Sequence, residues 1–569
     1  MVKKEYLVLI AALVWTAAGA NILRLGIAAC LIVKWEWWMI VSAIAVFVLF
    51  GGMFWRIVVK HTRRIYGYDG ARRHCFLKFF DVKAYILMIC MMAMGILLRT
   101  MGWIPDRCTA MFYTGLGSAL TCAGIAFAVI FIRDLLQRKR MKPMNPTLFE
   151  KYIAILKEEL RPAMGCTEPI SVAYAAATAR ELLGEMPQEA VIAVSGNILK
   201  NVKSVVVPHT DGMRGIDAAV CAGIAAGIAE KQLEVISSVT AEQIEQIKQL
   251  RRTLPVRVEL ADTPHIFDVC ITLRSANHTA SVRIVDFHTN IVRKELDGKA
   301  LYEKEIGPCG TEKRTDRSCL SVEQIYRFAK EVPLEKIKPV LSLQVEYNMA
   351  IAEEGLRNPY GANIGKVLLK RANGDIRLKA RAYAAAGSDA RMNGCEMPVV
   401  IVSGSGNQGL TASVPVIVYA RELDKSEEEM YRALALSDLI TIHQKTGIGT
   451  LSAYCGAVSA GVGAGAGIAF LYGGGPEEIA HTVVNAVAIV SGMICDGAKA
   501  SCAAKISQSV DAGILGYEMF QEGNQFYGGD GIVTKGVENT IRNVGRLAHE
   551  GMAQTDKEII DIMLHTRTN

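Results

Sequence analysis

The sequence predicts two classes of structure in one chain. An all-α transmembrane domain of four helices covers residues 1–142, and an α/β domain with a helix-rich C-terminal part covers residues 151–569, after a linker at residues 143–150. Three observations predict this: four apolar runs near the N-terminus, alternating strand and helix patterns after residue 190, and a Gly/Ala-rich helical tract after residue 441. At 569 residues the chain also exceeds the size at which a single core stops growing, so more than one domain is expected.

The four apolar runs lie at residues 6–33, 37–58, 84–98 with its flanks, and 111–132. Most of them reach the length of about 20 residues that crosses a bilayer, and the third is nearest the lower limit. Arg24 lies inside the first run, and a charge within a membrane span is a functional-site hypothesis by default. The alternative is that the long Arg24 side chain reaches the membrane surface from within the span.

Charge is distributed unevenly between the two parts. Up to residue 142 there are 19 Lys+Arg against 6 Asp+Glu, and the remainder holds 44 against 50. The overall charge of +7 is therefore an average, and it does not indicate a nucleic-acid partner. Basic residues cluster between the second and third runs and after the fourth, which predicts a multi-pass protein of the cytoplasmic membrane with both ends of the membrane domain, and everything after it, in the cytoplasm. The 14 cysteines lack a secreted, disulfide-dense pattern, so they indicate a reducing compartment.

The soluble part begins with a predicted helix that Asn145 caps, with Pro146 at its first position. Several segments then read as strands and turns of an α/β domain. They are a buried strand at residues 190–195, a turn at Gly196-Asn197, a second strand at residues 202–208, a small-residue helix from residue 215, and strands at residues 268–274 and 281–286. The Gly/Ala-rich segment 456–473 is apolar enough for a membrane span, but we expect it to pack inside a buried bundle.

A loop rich in glycine follows another predicted strand, at residues 398–403. It reads Ser403-Gly404-Ser405-Gly406-Asn407-Gln408-Gly409, which literally contains G-x-G-x-x-G. A dinucleotide site also needs a second strand with an acidic residue at its end, and a charged helical pattern at residues 426–436 occupies that place instead. The sequence therefore favours a loop whose N–H groups suit a carboxylate or another anion.

Four cysteines are candidates for chemistry. Cys455, Cys495 and Cys502 are embedded in small residues, and three protein ligands leave one position of a metal centre open to water or substrate. The alternative is that these are small, inert core residues. Cys166 stands just before a predicted helix, with Thr167 as its cap, where N–H groups and the helix dipole lower the pKa of a thiol.

Several motifs together resemble the L-cysteine desulfidase family, which is related to the alpha portion of iron–sulfur L-serine dehydratases. The matching residues are Met164-Gly-Cys-Thr-Glu-Pro169, Ser195-Gly-Asn197, Gly212-Met-Arg-Gly215, Ser403-Gly-Ser-Gly-Asn-Gln-Gly409, Cys455-Gly456, Cys495-Asp-Gly-Ala-Lys499 with Cys502, and Gly529-Asp-Gly-Ile-Val533. The resemblance covers essentially residue 151 to the C-terminus and leaves out the membrane domain.

The resemblance implies a [4Fe–4S] cluster held by Cys455, Cys495 and Cys502, with one iron open to act as a Lewis acid on the substrate. It implies a carbon–sulfur lyase that converts L-cysteine to pyruvate, ammonia and hydrogen sulfide without pyridoxal phosphate. Cys166 is the candidate for the base that removes the α-proton, or alternatively for a labile fourth ligand of the cluster.

Other site residues follow from the same resemblance. Two segments are expected to hold the carboxylate and amino groups of a small amino acid: Ser195, Gly196 and Asn197; and Ser403, Gly404, Gly406 and Asn407. Lys499 is expected to balance the charge of the cluster or to touch the carboxylate, and the alternative is a surface lysine.

Alternatives to cysteine cleavage stay open from the sequence. L-serine dehydration by the same cluster chemistry is one, although the six residues between Cys495 and Cys502 are fewer than in the serine enzymes. A non-catalytic, amino-acid-binding subunit of a membrane sensor or transporter is another. Self-association into a homo-oligomer also stays open.

Overall fold

The structure is a computed structural model that describes residues 2, 4–34, 36–66, 75–80, 85, 105–140, 144–164, 167–306, 315–449 and 452–565. The chain divides into two compact units, Met1–Pro143 and Met144–Asn569. The fold is helix-rich, with one mixed sheet in the second unit.

The first unit contains three long apolar helices. They are α1 (Lys4–Ile32), α2 (Trp37–Tyr66) and α3 (Asp106–Arg140), with a short 3₁₀ turn at Phe76–Phe79. All three are long and apolar enough to cross a membrane, as the first, second and fourth apolar runs predict. The third predicted span, residues 84–98, lies outside the described residues except for Tyr85.

Glycines set the distance between α1 and α3. A Cβ on Gly19 would lie 2.5 Å from the backbone nitrogen of Thr121, and one on Gly26 would lie 2.6 Å from that of Thr114. Small residues of this kind let two helix backbones approach closely within a membrane. Arg24, on the same helix, has an exposed side chain.

The second unit begins with the predicted helix, because the side chain of Asn145 accepts a hydrogen bond from the Thr147 N–H at 3.0 Å. Its first half comprises α4 (Pro146–Glu159), β1 (Pro162–Met164), α5 (Thr167–Leu183), β2 (Glu189–Val194), α6 (Gly196–Val202), α7 (Ile216–Ala226), a 3₁₀ turn (Ala229–Glu234), α8 (Ala241–Thr253), β3 (Val256–Leu260), β4 (Asp268–Arg274), β5 (Thr279–Val285), β6 (Ile291–Leu296) and β7 (Lys299–Glu303). Strands β2 to β7 form one sheet in the order β3-β2-β4-β5-β6-β7, in which only β2 and β3 pair in parallel.

The sheet carries its apolar residues on one face. Alternate residues of β2 are buried, and Ile192, Ile271 and Val282 belong to the same core as the Ala-rich helix α5. This alternation of buried and less buried residues is what a half-buried strand requires.

Helices make up the remainder of the second unit. They are α9 (Val322–Glu331), α10 (Leu334–Arg357), α11 (Ile364–Leu369), α12 (Ile376–Met392), α13 (Gly406–Glu422) after the short strand β8 (Pro398–Val400), α14 (Glu427–Ile448), α15 (Gly456–Leu471), α16 (Pro476–Val490), α17 (Cys502–Gln521), α18 (Val537–Arg546), a π-helical turn (Leu547–Gly551) and α19 (Ala553–His565). Every residue of α15 after Gly456 is buried, so the prediction that this apolar segment packs inside a bundle is confirmed. Strand β8 pairs antiparallel with β1.

Two local predictions are wrong. Gly196 and Asn197 do not form a turn but start helix α6, and residues 203–208 form only one isolated bridge, between Val206 and Arg214. The apolar residues Ile198, Leu199 and Val202 are buried from a helix just as well as from a strand, so apolar periodicity over so few residues does not distinguish the two. The strand predicted at residues 398–403 ends at Val400.

Candidate active site

Cys455 and Cys495 are brought side by side by backbone pairing. Cys455 immediately precedes α15, and Cys495 lies in the connection between α16 and α17. The Cys455 N–H donates to the Met493 carbonyl at 3.1 Å, and the Cys495 N–H donates to the Ala453 carbonyl at 2.6 Å. The segment that carries Cys455 and the segment that carries Cys495 therefore lie side by side and run antiparallel.

Cys502 joins them because α15 and α17 pack in parallel, backbone against backbone. A Cβ on Gly461 would lie 2.3 Å from the Ser509 carbonyl oxygen, and one on Gly465 would lie 2.3 Å from that of Gly513. Four residues along one helix correspond to four along the other, so both helices begin at the same end. Cys502 is the first residue of α17, and its thiol lies 3.6 Å from the Gly497 carbonyl oxygen.

The three thiols are free, and each lies within electrostatic reach of the others. Burial, together with charge on Cys495 and Cys502, raises the pKa of the Cys455 thiol to about 12. Burial also raises the pKa of Cys502. Without a metal the Cys455 and Cys502 thiols are protonated near neutral pH, so loading a metal must displace protons there.

These residues fit the iron–sulfur cluster that the motifs imply. Thiolates are the donors such clusters take, and the N-termini of α15 and α17 offer N–H groups and a favourable dipole to a negative group. Among the described residues, no three His, Cys, Asp or Glu side chains lie close enough to hold a single metal ion. A cluster of four irons takes thiolates that are further apart than the ligands of one ion.

Lysines surround the cysteine segment. Lys499 forms an ion pair with Asp496 and donates to the Asp496 carbonyl at 3.0 Å. Lys505 pairs with the same carboxylate and donates to the Ile494 carbonyl at 2.8 Å. Burial raises the pKa of Asp496, but the hydrogen bonds from the two lysines outweigh it and the pKa is lowered. The contacts of Lys499 with Asp496 therefore stabilise the loop that carries Cys495.

The Ser195–Asn197 segment lies against this loop through α6. A Cβ on Gly497 would lie 2.1 Å from the carbonyl oxygen of Lys200, in the last turn of α6. The Ser195 hydroxyl donates to the Ile266 carbonyl at 2.7 Å and is thus occupied in the fold. The Asn197 Oδ1 is buried and has no hydrogen-bond partner among the described residues.

The Ser403 loop makes a tight turn in front of α13. Ser403 and Gly404 have φ of 49° and 78°, and a non-glycine residue in this region carries strain that is common at functional sites. Gly406 and Asn407 are the first residues of α13, and Asn407 accepts a hydrogen bond from Arg391 at 3.3 Å.

This loop also reaches the cysteines, through Gln408. A Cβ on Gly456, the residue after Cys455, would lie 2.6 Å from the Gln408 side-chain amide. The Gln408 Oε1 is buried without a hydrogen-bond partner among the described residues. Helices α6 and α13, which begin at the two segments predicted to hold substrate, therefore contact the segments that carry the cysteines.

Cys166 lies outside the described residues, and the helix predicted after it begins at Thr167 as α5. Glu168, in the first turn of α5, accepts a hydrogen bond from Asn201 of α6 at 3.5 Å. The start of α5 thus lies next to the helix that contacts the cysteine loop.

The prediction missed three residues of this neighbourhood. Lys445 is 6% exposed, and burial lowers the pKa of its ammonium to about 8, opposed by the nearby Cys495, Cys455 and Glu159. Gln408 was predicted only as part of a loop. The His288 Nε2 is buried without a partner among the described residues, and burial lowers the pKa of this imidazole beside Glu168. A lone lysine within the apolar pattern of α14 was the available signal for Lys445, whereas His288 left no local signal.

Two open cavities of about 470 and 430 Å³ lie elsewhere, on the less covered face of the sheet. Both are lined by Arg283 and Arg293. Arg283 pairs with Asp268 at 2.6 Å and Arg293 with Glu295 at 2.7 Å. Because these cations are already paired, the cavities offer less to a ligand than the cysteine site does.

Comparison with known proteins assigns relatives to the second unit. The serine dehydratase alpha chain family matches residues 230–561, a range that includes all three cysteines. The UPF0597 protein of Desulfitobacterium hafniense (strain Y51) is 57% identical over 417 residues, which are 73% of this chain and 97% of that protein. The UPF0597 protein of Lachnoclostridium phytofermentans is 50% identical over 74% of this chain and 100% of its own length. That of Treponema denticola is 46% identical over 74% and 99%. About a quarter of the present chain has no counterpart in these relatives.

Proposed function

The chain belongs to the serine dehydratase alpha chain family, and on that premise we propose that it is a lyase that removes the β-substituent of a small amino acid with an iron–sulfur cluster. The specific reaction we propose converts L-cysteine and water to pyruvate, ammonia and hydrogen sulfide. The observation that supports it most is that two free thiols, Cys455 and Cys502, lie at the N-termini of two parallel helices, while the free thiol of Cys495 lies on a segment paired with the one that carries Cys455. The Gln408 Oε1, which is buried and has no hydrogen-bond partner in the described part of the chain, belongs to an amide that packs on Gly456, the residue after Cys455.

Cys455, Cys495 and Cys502 would hold the cluster. When bound, a [4Fe–4S] cluster with three protein thiolates supplies one open iron as a Lewis acid, and iron suits the soft sulfur of cysteine. The thiolates need compensation for their charge in this buried setting, which the helix N-termini and Lys505 supply.

The other residues of the site would bind and orient the substrate and move its proton. Residues 195–197 and 403–407 each lead into the N-terminus of a helix, where N–H groups lack intrahelical acceptors and suit a carboxylate. Cys166 is our candidate for the base that takes the α-proton, because a thiolate just before a helix is stabilised by the same N–H groups. Its alternative role is that of a labile ligand that substrate displaces.

The test is an assay of the full-length protein, purified in detergent and reconstituted anaerobically with iron and sulfide, then desalted. L-cysteine and L-serine are supplied separately, and both sulfide and pyruvate are measured. Equal release of sulfide and pyruvate from L-cysteine supports the proposal. Pyruvate from L-serine, with no sulfide from L-cysteine, would replace it with a serine dehydratase, which the name of the matched family favours.

A non-catalytic amino-acid-binding subunit is the alternative from another class. Such a protein would be colourless and free of iron after reconstitution, whereas a cluster enzyme is brown. The iron content therefore distinguishes a non-catalytic binding subunit from a cluster enzyme before any substrate is added.

We further propose that the first unit anchors the enzyme in the cytoplasmic membrane. The lengths and composition of α1, α2 and α3 support this, and the basic residues that follow α2 and α3 favour a cytoplasmic second unit.

A further inference from the structure

Arg391 is a buried cation that forms no ion pair with a described residue. It lies in the last turn of α12 and is 7% exposed. Its Nη1 donates a hydrogen bond to the Asn407 Oδ1 at 3.3 Å, whereas its Nε is buried and has no partner among the described residues. Asp389, the acid nearest to it along the chain, instead accepts from the Gly365 N–H at 2.9 Å. A buried charge is costly unless it is paired, so the charge of Arg391 is available to an anion from outside the chain.

The unused side of the guanidinium is the side that suits a carboxylate. In this planar group Nε and Nη2 present N–H bonds that point the same way, and such a pair matches the two oxygens of a carboxylate. Nη1, which donates to Asn407, lies on the other side. The bond to Asn407 therefore orients the guanidinium without using the pair that would bind a carboxylate.

The same guanidinium lies against the N-terminus of helix α13. A Cβ on Gly406, the first residue of this helix, would lie 2.3 Å from the Arg391 Nε and 2.8 Å from its Cζ. Ser405, the residue before the helix, makes no side-chain hydrogen bond to the first turn, so the N–H groups of that turn suit an anion. Because residue 406 is glycine, a buried cation and a helix N-terminus converge on one position.

This position lies next to the cysteine segment. Gln408, two residues after Gly406 in the first turn of α13, packs its amide where a Cβ on Gly456 would lie, at 2.6 Å. Gly456 directly follows Cys455. The first turn of α13 therefore contacts Arg391 and also the residue beside a predicted cluster ligand.

Resting on the proposed function, we infer that Arg391 binds the α-carboxylate of the substrate through Nε and Nη2, together with N–H groups of the first turn of α13. Arg391 thereby determines specificity: the site selects amino acids with a free carboxylate over their amides. A carboxamide has no charge and only one acceptor oxygen, so it cannot pair with both N–H groups.

A purely structural role for Arg391 predicts different behaviour. The dipole of α12 stabilises a cation in the last turn of that helix, and the bond to Asn407 alone would hold the loop before α13 in place. In either case the loss of Arg391 would lower stability or weaken every ligand by the same factor. The ratio of the affinities for an amino acid and its amide would stay unchanged, so this ratio is the quantity to measure.

The experiment measures equilibrium binding by calorimetry to the reconstituted full-length protein in detergent, near neutral pH. The probes are L-alanine and L-alaninamide, which have no leaving group on Cβ and so are not consumed. The wild type is expected to bind L-alanine at least about tenfold more tightly, as befits one charge-assisted hydrogen bond. In Arg391→Met the affinity for L-alanine should fall to that for L-alaninamide.

Two further variants complete the test. Arg391→Lys keeps the positive charge but cannot present two parallel N–H bonds, so its preference for L-alanine should fall towards that of Arg391→Met. Arg421→Met is the control, because Arg421 lies at the other end of α13, is exposed and pairs with Glu353 at 3.7 Å. This control removes the same charge and should bind both probes as the wild type does.

The inference is overturned if Arg391→Met retains the wild-type preference for L-alanine, or if the wild type shows no such preference or no binding of L-alanine. Should Arg391→Met fail to fold, Arg391→Lys decides, since a wild-type preference in that variant contradicts the paired contact. Binding that follows the expected pattern in a protein that releases neither sulfide nor pyruvate would leave the inference standing and remove the proposed function.

Discussion

Substituting Gly461 by alanine should separate two of the helices that carry the cysteines. The added Cβ would lie 2.3 Å from the Ser509 carbonyl oxygen and 2.4 Å from its carbon, whereas ordinary contacts begin at 3.4 Å. Both atoms belong to backbone, so α15 and α17 must move apart by roughly 1 Å. Cys455 lies six residues before Gly461, only about 9 Å along the helix, so the displacement reaches the cysteine site.

The expected cost combines two opposing effects. Overpacking of this kind costs about 1–3 kcal/mol, and the gain from alanine over glycine inside a helix offsets about 1 kcal/mol of it. We therefore expect the free energy of unfolding to fall by about 0–2 kcal/mol. The iron retained after desalting should fall as well, because Cys502 no longer lies in register with Cys455.

The assays are thermal unfolding followed by circular dichroism, and iron content per chain. Gly447→Ala is the matched control: it is also a helical glycine, but its Cβ would meet only the Cα of Gly545, at 3.4 Å. This control should be neutral or slightly stabilising. Wild-type melting and iron content in Gly461→Ala would refute the reasoning that backbone contact between α15 and α17 sets the spacing of the thiols.

Three further predictions concern the loop, the buried acid and the membrane unit. Gly497→Ala should lose iron and activity, because φ is +94° and the Cβ would lie 2.1 Å from the Lys200 carbonyl oxygen; iron content close to that of the wild type would contradict this. Burial raises the pKa of Asp438 to about 7, so the folded state holds a proton that the unfolded chain has lost. Stability should then fall as pH rises from about 4 to about 7, by on the order of 4 kcal/mol, and Asp438→Asn should remove this slope in thermal unfolding, whereas an unchanged slope would assign it to other groups. The full chain should remain in the membrane pellet after alkaline carbonate extraction, and protease should cleave the second unit only from the cytoplasmic side; release into the supernatant or cleavage from the outer side would oppose the proposed anchoring.

Long periodic segments were the part of the fold that the sequence predicted well. The cap at Asn145, the alternation in β2 and the buried helix α15 all follow from residue patterns with a clear physical cause. Short apolar segments were ambiguous, because a helix of seven residues such as α6 buries the same side chains that a strand would.

The residues of the candidate site also fall into those that the sequence predicted and those that it missed. Cysteines, glycines and Ser-Gly-Asn segments are visible in sequence because their chemistry is unusual. Lys445 and the Nε2 atom of His288 were missed because burial defines them, and burial arises only when distant helices and strands meet. Lys499 was predicted to balance the cluster charge, to touch the substrate carboxylate or to be a surface lysine, and the structure adds that it forms an ion pair with Asp496.

Iron bound per chain in Cys495→Ser tests the central claim most directly. After anaerobic reconstitution and desalting, the wild type should retain about four iron atoms per chain and a broad visible absorbance. Cys495→Ser should lose most of both, and of sulfide release from L-cysteine. Cys270→Ser, a control in which the thiol lies 3.8 Å from the Ser281 hydroxyl in the sheet, should keep them. A Cys495→Ser protein with the wild-type iron content and turnover would contradict the account.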